Sequence, residues 1–288
     1  MKKYFFWLVV RLLCAVSIGL VGVAPVMAQT VGAIGVGDVG FAPTVDVDAQ
    51  AEQNVVAAIT SRLNEALTKT RKFNVLPYSE LTQKLQKQGL SLDGFYNKTY
   101  AGSDFHQAGL DYILTTKVTE FGLFKKSATD PENAIGLIDL EFTLHGVADR
   151  AVDFSSSISS QVSKRTASAS DGSASNILDQ AIQKGVDDLV AKMVAAVFPL
   201  SVIRIDELGN IMLNYGDGLL AQGDTVLVYP SGKAVPMDAI KNDDNTGASP
   251  IATLQIMSTD TRFSIAQALN GTDQLVRGQK GKLLASGN

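Results

Sequence analysis

The pattern of apolar residues changes character at Pro199, and that change limits the available folds more than any single motif does. Ahead of it the periods are long. Val55, Ile59, Leu63 and Ala66/Leu67 recur at three- and four-residue steps between Ala49 and Lys69, the spacing of an amphipathic helix, and Asp48 stands ready to cap it. Leu178, Ile182, Val186, Leu189, Met193 and Val197 form a second stripe, with Ser175 or Asn176 as its cap and Phe198-Pro199 as its end. Between these helices, strands are predicted at Val31–Val39, Phe73–Leu76, Tyr112–Phe121 and Ile135–Val147, where Leu140, Phe142 and Leu144 alternate with polar neighbours. Phe154, Ile158 and Val162 make a weaker partner strand on a serine-heavy stretch. Shorter helices are expected after a Ser79 cap, ending at Gly89, and over Ser103–Ala108, closed by Gly109. Leu90–Ala101 shows no clear period, while Lys125–Asn133 and Ala167–Ser175 have the composition of loops.

Beyond Pro199 the apolar runs are short: Val202–Ile205, Ile211–Leu213, Thr225–Tyr229, Ile251–Met257 and Gln274–Leu284. Turn residues part them, among them Glu207-Leu208-Gly209-Asn210, Gly216-Asp217-Gly218 and Gly223-Asp224. Closely spaced strands with such turns predict a small β-barrel. The expected architecture is therefore α+β: a mixed β-sheet flanked by helices over residues 29–199, then a small β-barrel domain over residues 200–288, with Asn242–Ser249 as a loop within it.

Residues 1–28 read as a secretory signal. Lys2, Lys3 and Arg11 give a positive start, Leu12–Val23 form the apolar core, and Val26-Met27-Ala28 offers a small last residue, with an acceptable valine two before it, for cleavage between Ala28 and Gln29. The apolar run is too short for a bilayer, which takes roughly 20 residues. The single cysteine, Cys14, lies inside this leader, so the exported remainder is expected to lack disulfides, thiol nucleophiles and thiolate metal ligands. The leader carries off three cations and no acid, which makes the remainder more acidic than the whole chain's formal charge of −4. An acidic chain without a basic run is poorly suited to nucleic acid.

No catalytic set emerges. Gly35-Val36-Gly37-Asp38-Val39-Gly40 matches the dinucleotide fingerprint, but Pro43 and acids intervene before helical periodicity begins, so no helix opens within the motif to meet a pyrophosphate. His106 and His145, the only two histidines, lack the spacing of a zinc site. Ser163-Lys164 sits in a strand rather than a nucleophile elbow. Asp187-Asp188 and Asp243-Asp244 are sequence neighbours that diverge by about 100° on a helix rather than converge. Lys69, Arg71 and Lys72 suit a helix C-terminus. Catalytic, cofactor and metal residues are thus expected to be none. The barrel turn Gly216, Gly218, Gly223 and Asp224 is assigned a structural role: Gly223 permits positive φ and Asp224 ties the turn down.

Several phrases resemble known families. Ile34-Gly35-Val36-Gly37-Asp38, Arg71-Lys72-Phe73-Asn74-Val75-Leu76, and Ala108-Gly109-Leu110-Asp111-Tyr112-Ile113-Leu114 followed by Val118-Thr119-Glu120-Phe121 resemble the curli production assembly/transport component (CsgG) family. They are also similar to the N-terminal domain of the TolB translocation protein and to peptidoglycan-synthase activator lipoproteins. Gly218-Leu219-Leu220-Ala221-Gln222-Gly223-Asp224-Thr225-Val226-Leu227-Val228-Tyr229 resembles the last domain of the flagellar assembly protein T (FlgT) family. Asp149-Arg150-Ala151-Val152 departs from the Asp-x-x-Thr-Gly turn of the curli family, and the membrane hairpins and lipid anchor of its channel-forming members have no counterpart in the sequence. The resemblance implies a periplasmic, non-enzymatic assembly or secretion accessory factor without a cofactor. Its partners would be envelope proteins, with peripheral association with the outer membrane and homo-oligomers both compatible. The alternatives are an activator or ligand-binding module for peptidoglycan synthesis, or an outer-membrane secretion channel subunit.

Overall fold

The computed structural model describes residues 32–127, 130–148, 152–165, 173–230 and 249–284. The leader, the Ala28/Gln29 junction and all but the last residue of the loop expected at 242–249 lie outside them. The first strand, β1 (Gly32–Phe41), leads into helix α1 (Ala49–Thr70), where the Asp48 carboxylate accepts the Ala51 N–H at 2.8 Å. Strand β2 (Phe73–Leu76) and helices α2 (Tyr78–Lys87), α3 (Leu92–Tyr96) and α4 (Gly102–Gln107) follow. Strands β3 (Tyr112–Ser127), β4 (Asp130–Gly146) and β5 (Val152–Arg165) then form a meander, and helix α5 (Ser173–Val197) closes the first part.

These strands form a mixed five-stranded sheet in the order β2-β1-β3-β4-β5. β1 runs parallel to β2 and β3, and the rest are antiparallel. The strand period separates the two faces of β1. Ile34 and Val36 join a cluster with Val55, Ile59, Leu63 and Leu67 of α1, whereas a Cβ on Gly35 would meet the Leu81 side chain of α2 at 2.8 Å. Helices α1 and α5 lie side by side over the first face, tied by Arg62, which pairs with Asp179 at 3.2 Å and donates to Gln183. On α5 the buried stripe is Ile177, Ala181, Ile182, Val186, Leu189, Val190, Met193 and Val194.

The second sheet holds β6 (Val202–Ile205), β7 (Ile211–Leu213), β8 (Thr225–Val228), β9 (Ala252–Thr259), β10 (Ser264–Asn270) and β11 (Gly281–Leu284). It is antiparallel throughout, in the order β11-β8-β9-β10-β7-β6. The sheet curls into a half-barrel. Its edges are joined at one end by a bridge between Ser201 and Lys280, with Val202 N–H donating to Gln279 O at 2.9 Å and Gly281 N–H to Leu200 O at 2.8 Å. The expected α+β class, a mixed β-sheet flanked by helices followed by a small β-barrel, is observed, the barrel taking the form of a curled antiparallel half-barrel. One hydrophobic cluster runs from α1 and α5 into Val202, Leu213, Val226, Leu254 and Ala266 of the second sheet.

Local expectations differ in five places. Helix α2 starts at Tyr78 behind Pro77, so Ser79 lies inside the first turn rather than capping it; a proline suits this place because no N–H is needed there. Helix α5 starts at Ser173, ahead of the caps expected at Ser175 or Asn176. The stretch without period contains α3, capped by Ser91, whose hydroxyl accepts the Gly94 N–H at 3.1 Å; five residues are too few to show a period. Most of the loop expected at Lys125–Asn133 is strand, with Lys125 opposite Ala134 and Ser127 opposite Asp130, since the ladder needs no apolar residues there. Finally, Ser264–Asn270 is the strand β10, hidden in sequence by its alanines and glutamine.

Candidate functional site

The residues with chemistry gather where the end of α1 meets the turn that precedes β8. Helix α1 ends on Arg71 in the left-handed region (φ 55°), and Thr70 turns its hydroxyl back to Leu67 O at 2.7 Å. This bend aims Arg71 and Lys72 at the second sheet. Arg71 pairs with Asp217 at 3.2 Å, and the Lys72 ammonium donates to Asn214 O at 2.5 Å while lying 5.1 Å from the centre of the Tyr215 ring. Burial lowers the Lys72 pKa and raises that of Tyr215, whose hydroxyl donates to Phe198 O at 2.7 Å. Asn214 fixes the connection between the two sheets: its side chain accepts Ser201 N–H at 2.8 Å and donates to Pro199 O at 3.1 Å.

The glycines of the turn are set by close approach. A Cβ on Gly218 would lie 2.1 Å from Lys69 O, and one on Gly216 would lie 2.5 Å from Asp260 O. Gly223 adopts φ +93° and donates its N–H to Ile256 O at 2.8 Å. Asp224 accepts the Ala221 N–H at 2.7 Å. A crevice of about 330 Å³ opens beside this turn, lined by Lys69, Thr70, Asp187, Ala191, Asp217 and Asp224. Its carboxylates already hold partners: Asp187 accepts from Gln183, Asp217 pairs with Arg71, and Asp224 caps its own turn. Sequence reading picked out the glycines and Asp224, and took Arg71 and Lys72 as a basic helix end; it gave no sign of Asn214 and Tyr215, which Lys72 meets across the junction.

The other candidates lie apart from this junction. Gly35, Gly37 and Gly40 all fall within β1, and no helix opens at the motif. His106 sits 3.4 Å from Asp111, whose other oxygen accepts the Ala33 N–H at 2.7 Å. His145 packs against Phe95 and Tyr96; burial lowers its pKa, against an opposing pull from Asp153. Ser163 lies on β5, and Asp188 on α5. Among the described residues no cluster of His, Cys, Asp and Glu could hold a metal ion, and no helix is long and apolar enough to cross a membrane.

The most extended open feature is β5. Its only partner among the described strands is β4, which leaves the opposite edge of a 14-residue strand without a neighbouring strand.

No family model matches the chain, and no curated protein matches it. Several solved structures show partial likeness. A lipoprotein from Neisseria meningitidis, GNA1162, shares 16% identity over 53% of this chain and 96% of its own, with a TM-score of 0.32. Protein XCC0632 from Xanthomonas campestris, of family model DUF330, shares 13% over 60% of this chain and 90% of its own, with a TM-score of 0.38. TolB from Acinetobacter baumannii shares 12% over 88% of this chain and 49% of its own, with a TM-score of 0.28.

Proposed function

We propose that this is a non-enzymatic protein of the cell envelope, exported by cleavage after Ala28, which serves as an assembly or secretion accessory factor through protein–protein contacts. The observation that supports this reading is the open edge of β5, a long backbone template of the kind that binds other chains by strand addition. The charged residues of the junction agree with it, since Arg71, Lys72, Asp217 and Asp224 are engaged in contacts that hold the fold together.

The test places a photo-crosslinking amino acid at Ser157 of the full chain in living cells, followed by fractionation and identification of the adducts. Adducts with specific envelope proteins, on a chain of leaderless size outside the cytoplasm, are expected. A chain retained inside the cell with its leader attached would defeat the reading. So would a small-molecule turnover that one polar-to-alanine replacement abolishes. Adducts to a peptidoglycan synthase would shift the role to activation of cell-wall synthesis, and adducts to outer-membrane channel components would favour secretion.

A further inference from the structure

The direction of the free backbone groups on β5 follows from its neighbours. Thr115 and Thr119 of β3 donate their hydroxyls to Thr143 O and Asp139 O of β4, so the odd-numbered carbonyls of β4 face β3. The even-numbered ones then face β5, as the contact from the Ser155 hydroxyl to Phe142 O also shows. Phe142 stands opposite Ser156, Leu140 opposite Ile158 and Ile138 opposite Ser160, so the even residues of β5 spend their N–H and C=O groups on β4. Ser155, Ser157, Ser159, Gln161 and Ser163 point theirs at the open edge. Lys192 of α5 reaches over this edge to Ser157 O at 3.3 Å, which leaves that carbonyl a second lone pair.

Apart from Lys192, the open edge has none of the usual guards along its middle: Phe154 to Ser163 contains no proline and no charge. The sheet's other margin contrasts with it, since β2 has four residues and ends at Pro77. The sequence of β5 also reads nearly the same in both directions about Ile158. Phe154 and Val162 lie four residues to either side, and only serine and glutamine stand between. These apolar side chains are half-buried against the core cluster and keep part of their surface exposed. Asp153 precedes this segment and Lys164-Arg165 follow it, so reversing the strand against itself brings an acidic end to a basic one.

We infer that β5 pairs antiparallel with β5 of a second copy of this chain, about a two-fold axis at Ile158. A contact of this type uses one patch twice and so demands a self-complementary surface, which the near-palindrome supplies. Two conditions fix the register. Free groups must meet free groups, so odd residues lie opposite odd ones, and each face must continue across the seam. The register centred on Ile158 satisfies both and places Phe154 opposite Val162, Ile158 opposite Ile158, and Ser157 opposite Ser159. Moving the centre to Ser159 sets Phe154 against Lys164 and Ile158 against Ser160, and moving it to Ser157 sets Phe154 against Ser160 and Ile158 against Ser156, so both lose the Phe154 and Ile158 matches. Residues 154–162 give a seam of about 30 Å at ~3.3 Å per residue.

This inference rests on the reading of β5 as a contact surface, and its test separates the two. The purified full chain is measured by light scattering across a dilution series, beside Ser159→Pro and Ser159→Lys. The proline removes an N–H that β4 does not use, and the lysine sets cations near each other across the axis without touching the backbone. Circular dichroism confirms folding of both. A wild-type dimer is expected, weakened by about tenfold or more in each variant. Separately, Ser157→Cys molecules mixed with Ser159→Cys molecules should form a disulfide-linked pair faster than either does alone. A wild-type chain that stays monomeric at every concentration, or a dimer that neither variant weakens, overturns the self-pairing. If the wild type is monomeric while Ser159→Pro abolishes the in-cell adducts at Ser157, the self-pairing fails and the contact reading stands. If the dimer forms as described but no adduct with another envelope protein does, the accessory role fails and the self-pairing stands.

Discussion

The two margins of the first sheet are built in opposite ways. At the β2 margin the chain is clasped: Arg71, Lys72 and Phe73 reach Asp217, Asn214 and Phe198, and Gly218 lies against the end of α1. At the β5 margin a long run of serines meets no further strand among the described residues. Polar residues thus serve opposite ends in one molecule. Charges at the first margin are consumed in fixing internal geometry, while neutral hydroxyls at the second leave the backbone open to a partner.

The contrast can be broken most sharply at Gly218. Valine there drives a side chain into Lys69 O, and we expect a loss of roughly 3 kcal/mol in denaturant-unfolding free energy, with the α1 end prised from the turn. Asn214→Ala comes next: it leaves Ser201 N–H and Pro199 O without their partner and should cost roughly 2 kcal/mol by the same measurement. The bare margin should respond differently, since Ser159→Pro removes no ladder bond and should shift monomer stability by less than about 1 kcal/mol. A loss at Ser159 as large as that at Gly218 would abolish the distinction.

The smallest expected effect lies at the root of the bare margin, where His145 stands opposite Val152. Burial holds its pKa below the ordinary 6.5, so the unfolded chain binds the proton more readily than the folded one. Stability from this residue is full above the ordinary value and is lost as pH falls through it toward the lower folded value. Unfolding measured between about pH 7.5 and 5 should show this slope, and His145→Phe should flatten it.

The fold was legible where local rules act alone. The stripes of α1 and α5, the Asp48 cap, and the helix-ending glycines Gly89 (φ +72°) and Gly109 (φ +74°) all follow from period, hydrogen bonding or backbone freedom. Failures came where a pairing partner, rather than composition, decides. The outer arms of β3 and β4 are polar yet held by each other, and β10 is alanine-rich yet lies between β9 and β7. The junction was legible only on one side. Gly218 and Asp224 stand out as turn residues, but the bond from Lys72 to Asn214 spans 142 positions, and no local pattern announces it. The free edge was visible as a serine-rich strand, while its near-palindrome acquires meaning only once the odd residues are known to face outward.

The seam between Ser201 and Lys280 bears on timing. It joins the lead-in of the second sheet's first strand to that of its last, so the half-barrel cannot lock until β11 is in place. Such a long-range closure is slow to form. The half-barrel thus waits for the end of the chain and stays pliable until β11 arrives.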